Sequence, residues 1–297
     1  LDYYQKNTED LLLNVQVPST TGFTSITKNV GKLENKGWEL SLTTQNIVGE
    51  FNWSTTLNYA RNRNEITDLQ GQVIRAGAIN RAVEGQPIGV FWTKKYAGVD
   101  PQTGDALYYL RAGSDETTTD YGAAEEQVVG NPNPDFQGGL INNFSYKGFD
   151  LSILLQFVYG NDIYNNAGRF QSANMDYLDN QTRDQLNRWQ QPGDITNVPE
   201  ARFLDGNGTA TSSRWIYDGS YLRGKNITLG YTLPKDIASK AHMSSVRVYL
   251  TAQNFFTITD YPGWDPEVNT QGTGPSSTRS NVGAGTDFYT APQAKTI

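Results

Sequence analysis

Residues 135–162 read DFQGGLINNFSYKGFDLSILLQFVYGND. The stretch divides into two long alternating runs around a tight Lys147-Gly148 turn. On the second run every odd position is apolar: Phe149, Leu151, Ile153, Leu155, Phe157 and Tyr159. Pairing the runs across a two-residue turn adds Tyr146, Phe144, Leu140 and Phe136 to that face. The opposite face holds Asn143, Ser145, Asp150, Ser152 and Gln156, together with Leu154 and Val158. Aromatic rings mark both ends of the apolar face and aliphatic side chains fill its middle. Phe149 to Tyr159 is ten residue steps, or about 33 Å of strand. Tilted by roughly 40°, such a strand spans about 25 Å, the height of the apolar band on an outer-membrane barrel.

A second hairpin repeats the order. Residues 36–47 alternate Trp38, Leu40 and Leu42 with Glu39, Ser41, Thr43 and Gln45. A turn follows at Val48-Gly49-Glu50, and residues 51–63 alternate Phe51, Trp53, Leu57 and Tyr59 with Asn52, Ser54, Thr56 and Asn58. Further strands are expected at 2–8, 221–233 and 245–258. The last two are ambiguous. In 221–233 one face would join Arg223 and Lys225 to Ile227, Leu229 and Tyr231, so either the charges sit at headgroup level or a bulge flips the register.

The connections alternate between short (near 49, 147 and 238) and long (near 20, 100, 190 and 275). Up-and-down membrane barrels behave this way, with short periplasmic turns and long extracellular loops. Connections this long are unusual inside a compact soluble domain. Within them, residues 87–110 predict a small hairpin turning at Pro101-Gln102-Thr103-Gly104, and residues 174–190 a polar helical piece. A Gly/Ser/Thr-rich loop runs from the strand at 245–258 to Tyr289.

Composition narrows the chemistry. The chain has 297 residues, no cysteine and one histidine, His242. Disulfides, thiolate metal sites and a Ser-His-Asp triad therefore lack material. A net charge of −7 disfavours a nucleic-acid surface, which needs clustered cations. No unbroken apolar run reaches the length of a membrane-spanning helix. The ends read as a chain opening and stopping in mid-strand, which points to a fragment.

Candidate contact residues lie in the loops. The segment DYPGWDPE (260–267) offers Tyr261 and Trp264 as stacking surfaces and Asp265 and Glu267 as acceptors. The plainer reading is a rigid turn in which Asp265 bonds nearby amides. Trp92, Tyr96 and Trp189 are further candidates for substrate or partner contact, with a buried anchoring role favoured for the two tryptophans. Calcium at Asp100, Thr103, Gly104 and Asp105 lacks EF-hand spacing, and a plain turn is favoured there. An acid pair of Asp265 and Glu267 has no second supporting signal, so no catalytic residue, metal or cofactor is expected. His242 falls in a short turn and is expected to be exposed.

The residues then carry a resemblance. DYYQKNTEDLLL, NVGKLENKGWELSL, FNWSTTLNYARNRNEITDL, GQPIGVFWTKKYAGVDPQTGDALYY, RWQQPGDITNVP, YLRGKNITLGYTLP and VRVYLTAQNFFTITDYPGWDPE stand in this order, with the opening hairpin among them. Together they resemble the C-terminal barrel portion of SusC/RagA-type TonB-dependent outer-membrane transporters of Bacteroidota, over nearly the whole chain. The resemblance implies an all-β, antiparallel transmembrane barrel of about 22 strands, of which residues 1–297 supply about the last eight. The plug domain and the N-terminal strands would be absent. It also implies uptake of oligosaccharides or peptides, a SusD-like lipoprotein as partner, and TonB coupling through the absent plug. The lipid-facing set would be Trp38, Leu40, Leu42, Trp53, Leu57, Tyr59, Phe149, Leu151, Ile153, Leu155, Phe157 and Tyr159. The alternatives are a secreted soluble β-sandwich that binds glycans, which would be monodisperse without detergent, and a small eight-stranded barrel.

Overall fold

The computed structural model describes residues 1–18, 20, 22, 23, 25–267 and 282–297. Seven long strands build one antiparallel sheet: β1 (Asp2–Thr8), β2 (Lys32–Ile47), β3 (Phe51–Asp68), β4 (Phe136–Tyr146), β5 (Phe149–Tyr159), β6 (Tyr221–Thr232) and β7 (Arg247–Thr259). Each pairs with the next in chain order. Beyond β7, where an eighth strand is expected, Thr296 forms a bridge to Gln253.

The deciding hairpin forms with the expected register, from Phe136 opposite Tyr159 to Tyr146 opposite Phe149. Its two-residue turn places Lys147 at φ 45° and Gly148 at φ 87°. Two successive positive φ values match the twist of the flanking strands. A Cβ at 148 would also come within 2.8 Å of the Thr232 carbonyl oxygen, so glycine is required there twice over.

Register carries the same face across the sheet. Leu40, Tyr59, Gly138 and Phe157 share a row, as do Leu42, Leu57, Leu140 and Leu155. Rings gather in two tiers on this face. Tyr59–Phe136 at 5.6 Å, Phe136–Tyr159 at 5.0 Å and Tyr3–Trp38 at 4.7 Å form the tier nearer the long connections. Phe51–Phe144 at 6.3 Å, Trp53–Phe144 at 5.8 Å and Phe149–Tyr231 at 4.4 Å form the tier nearer the short turns. A short polar row, Thr44, Thr55 and Asn142, interrupts the middle. Asn142 Oδ1 accepts from Trp53 Nε1 at 3.0 Å and from Thr55 Oγ1 at 2.7 Å, so these groups satisfy one another without water.

The register shift at Gly224–Asn226 settles the two ambiguous strands. Ile227, Leu229 and Tyr231 pair with odd positions of β5, and beyond the shift Leu222 and Gly224 take over that face. Arg223 opposes Gln156 and turns to the polar side. On β7, Val248 and Leu250 join the apolar face, opposite Tyr231 and Leu229. The polar side is laced by hydroxyl and amide pairs such as Thr43–Thr56 at 3.1 Å, Ser152–Asn143 at 2.8 Å and Thr228–Thr251 at 2.9 Å.

Near the short turns, Arg247 grips Asp150 with Nη2–Oδ2 at 2.5 Å and Nε–Oδ1 at 3.1 Å. The pair reaches across β6 over Gly230, where a Cβ would stand 2.7 Å from either carboxylate oxygen. Gly230→Val is therefore expected to cost about 1–3 kcal/mol by overpacking. In an Asp150→Ala/Arg247→Ala background most of that cost should vanish, which denaturant midpoints of the four variants would measure.

Among the described residues no second layer covers the apolar face. None of the six odd side chains from 149 to 159 is buried, and Phe149 and Tyr159 are 51% and 54% exposed. A β-sandwich would pack another sheet about 10 Å away, so that reading falls.

Burial lies elsewhere. Among the largest fully buried side chains, Leu69, Ile79, Phe91, Tyr164 and Trp215 sit in the long connections, while Ile66 lies near the end of β3 that adjoins them and Arg223 lies on the polar side of β6. These connections are more ordered than their sequences suggest. Ile74–Ala76, Asn80–Ala82, Val90–Lys94 and Glu126–Gly130 form one small sheet. The expected hairpin appears as Tyr96–Val99 against Ala106–Tyr109, turning at 100–105. Asp162–Asn165 pairs with Ile216–Asp218 on one side and Thr286–Asp287 on the other. In the long connection near residue 20, Leu12–Gln16 and Ser25–Asn29 pair as a hairpin, and β2 begins at Lys32 rather than at 36. In place of a helix over 174–190 there is one 3-10 turn, Arg183–Asn187. Much of the expected Gly/Ser/Thr-rich loop, residues 268–281, lies outside the described residues.

Candidate functional site

The end of the sheet that carries the long connections holds a recess of about 480 Å³. Its floor is the helical turn Gly168–Gln171 and the ring of Trp215, which is 1% exposed. Asn165 Oδ1 accepts from the Gly168 amide at 2.8 Å and fixes that turn. Arg214 lies over the Trp215 ring at 4.4 Å. One wall brings Asp184, which accepts from Ser172 Oγ at 2.9 Å and from the Thr182 hydroxyl. The other wall is Asp287. Its Oδ2 accepts from Tyr261 Oη at 2.7 Å and its Oδ1 from the Thr290 amide at 3.3 Å. Trp264 and Tyr289 stand on the rim, 66% and 50% exposed. Burial first, and then the bond to Asp287, raise the Tyr261 hydroxyl above its ordinary value, so it stays a donor. Burial likewise raises Tyr217.

Beside the recess, a buried charge cluster ties residues 260–267 to the polar side of β6. Arg223, 1% exposed, donates through Nη2 to Asp265 and through Nη1 to Glu267 Oε2 at 3.0 Å. Lys225 reaches the same Glu267 oxygen at 2.7 Å. Asp265 also accepts from the amides of Glu267 at 2.8 Å and Gln293 at 2.9 Å. Burial opposes the Asp265 carboxylate, but Arg223 and the two amides outweigh it and hold its pKa below the ordinary value.

These contacts revise the expected contact residues. Trp264 lines the recess. Tyr261 and Asp265 are 4% and 5% exposed and hold the loop in place, and Glu267 is engaged by Arg223 and Lys225. Trp189 is 7% exposed, its Nε1 donates to the Pro101 carbonyl at 3.0 Å, and its ring lies on Gly104, where a Cβ would come within 2.5 Å. Tyr96, half-buried, donates to the Asn197 carbonyl at 3.0 Å, and Trp92 is half-buried opposite Val128. These residues hold the loop architecture together. Asp100 serves the turn, accepting from the Gln102 amide at 2.8 Å, and Asp105 pairs with Arg202 at 2.6 Å. His242 is exposed after the helix Lys235–Lys240. Asp184, Asp287 and Tyr289 went unnoticed in the sequence, because nothing local marks segments far apart in the chain that meet in the fold, as where 162–165 pairs with 286–287.

No protein-family model matches the chain. Over its whole length it is 33% identical to TonB-dependent receptor P3 of Formosa agariphila, and over 90% of its length it is 31% identical to TonB-dependent receptor SusC of Bacteroides thetaiotaomicron. The solved RagAB peptide transporter superposes on 99% of the chain with a TM-score of 0.84 at 28% identity. This chain belongs to the SusC/RagA type of TonB-dependent receptors. It spans about a third of the length of these relatives: 31% of P3, 27% of SusC and 32% of the RagAB chain. The seven-stranded sheet of this SusC/RagA-type chain is accordingly wall of an antiparallel transmembrane barrel. Its short connections lie at one rim and its folded loop assembly, with the recess, at the other.

Proposed function

We propose that the chain serves nutrient import across the bacterial outer membrane, as part of a TonB-dependent transporter, without enzymatic chemistry of its own. The apolar tiers of β2 to β5 then meet lipid, and the polar side lines the lumen. The loop assembly stands outside the cell, where cargo arrives and where a SusD-like lipoprotein would close over it. TonB coupling would run through a plug region. The observation that carries this reading is the pair of aromatic tiers on an uncovered face, set below a loop assembly that holds the only extensive core among the described residues. A face so built suits a bilayer rather than water. The relatives' names point the same way: SusC is a TonB-dependent receptor and RagAB a peptide transporter.

The test is uptake. Deleting the receptor gene should abolish accumulation of at least one labelled oligosaccharide or peptide, and the same loss should follow deletion of tonB. Unchanged accumulation of every compound in a broad nutrient panel would contradict the import reading.

A further inference from the structure

At the aromatic tier nearer the long connections, the apolar face turns basic. Arg61 shares a row with Trp38 and Tyr3, and Lys36 stands opposite Arg63 one step farther out. The two-residue period of β2 and β3 puts these three cations on the face of Trp38 and Tyr59, and all three are exposed. Lys36 reaches Glu34 at 2.6 Å and Arg63 reaches Asp135 at 2.7 Å, which holds both side chains at this level. Glu34 and Glu65 face each other in the next row. The cations thus form a narrow belt, with rings on the membrane side and carboxylates on the loop side.

The same face continues into an apolar groove of about 490 Å³. Phe157, Leu222 and Ile258 form one row of it. Phe136 and Tyr159 border it toward the basic belt, and Phe136 lies against Tyr59 at 5.6 Å. Belt and groove are therefore one surface. Resting on the import reading for which rim faces outward, we infer that this surface binds a phosphorylated, multiply acylated glycolipid of the outer leaflet. Its phosphate meets Arg61, Arg63 and Lys36, and an acyl chain lies in the groove. Guanidinium groups pair with phosphate through two parallel bonds, and basic side chains at the membrane surface collect anionic headgroups. The offset between belt and groove selects the lipid. Asp218 and Asp260 line the groove at its loop end and repel a phosphate placed directly over it. From Arg61 on β3 to Leu222 on β6 is three strand spacings, about 14 Å. A glycerophospholipid carries its phosphate directly over its two chains. A two-sugar headgroup with several chains bridges the gap.

The experiment titrates the full-length receptor in detergent with lipid A bearing one phosphate, lipid A bearing none, and phosphatidylglycerol, with native mass spectrometry counting bound lipid. Wild type should hold phosphorylated lipid A at least tenfold more tightly than either of the others. Arg61→Gln/Arg63→Gln should lose that margin. Ile258→Trp, which fills the groove with a residue at home in the interface, should weaken binding at least threefold. Lys147→Gln removes a charge in the short turn at the opposite rim and should change nothing. Equal binding of the three lipids by wild type, or a firmer hold on phosphatidylglycerol, overturns the inference, and neither result depends on how a variant folds. So does an undiminished margin in Arg61→Gln/Arg63→Gln, wild-type binding by Ile258→Trp, or a loss in Lys147→Gln as large as in the double variant. Nutrient uptake separates the two readings: tonB-dependent uptake without the lipid preference discards this inference alone, and the lipid preference without uptake of any compound discards import alone.

Discussion

Ile153→Arg is expected to cost about 2–4 kcal/mol of folding stability in a bilayer, and Ser152→Arg far less. The two positions are neighbours on β5 and differ in face. Ile153 lies in a row with Thr55, Asn142 and Ile227, midway between the aromatic tiers. A guanidinium there would have to reach toward a headgroup layer or draw water into the acyl region. Ser152 opposes Asn143 and bonds it at 2.8 Å on the polar side, where a long cation meets water. Folding into liposomes, followed by urea titration of each variant, measures the difference. Equal costs would contradict the assigned faces.

Asp265→Ala is expected to cost about 3–5 kcal/mol, the usual consequence of leaving a buried charge without its partner. Arg223 is 1% exposed, and the variant would leave it only Glu267, which it must share with Lys225. The amides of Glu267 and Gln293 would lose their acceptor as well. Glu267→Gln should be milder, since the Glu267 side chain is 32% exposed. Replacing both partners, as Arg223→Met/Asp265→Leu, should recover much of the loss, because an apolar pair removes the desolvation cost along with the attraction. The pH dependence has a definite sign. The Asp265 pKa is lowered on folding, so its contribution is present above the ordinary aspartate range and disappears as pH falls below it. Thermal unfolding of the three variants across that range measures both effects. A wild-type-like Asp265→Ala would show that the cluster is not what holds residues 260–267 to β6.

The barrel wall was legible because its period is local. Alternation fixes which side chains share a face, and the Lys147-Gly148 turn fixes the register of β4 against β5. The strand at 221–233 resisted because a single skipped residue at Lys225 reverses its parity, which no alternation test detects; on 245–258 two residues, Asn254 and Phe255, are passed over instead, so its even positions keep the apolar face. The upper parts of β2 and β3 were underestimated. Leu33 and Ile66 are drawn into a cluster with Leu69 and Ile74 from the connection that follows, and that packing extends the strands beyond their polar-looking ends. In the recess, Trp264 was visible as an exposed aromatic in a Pro-Gly turn. Asp184 and Asp287 were not, since they converge from segments about a hundred residues apart along the chain.

The most direct measurement is the accessibility of single nitroxide labels placed in turn at positions 149 to 159, in the full-length receptor reconstituted in liposomes. Collision with oxygen, which concentrates among acyl chains, should peak at 151, 153, 155 and 157. A water-soluble nickel reagent should reach 150, 152 and 156 instead. Loss of that two-residue period, or odd positions shielded from both reagents, would mean that β5 meets protein on both sides and that the sheet is not barrel wall.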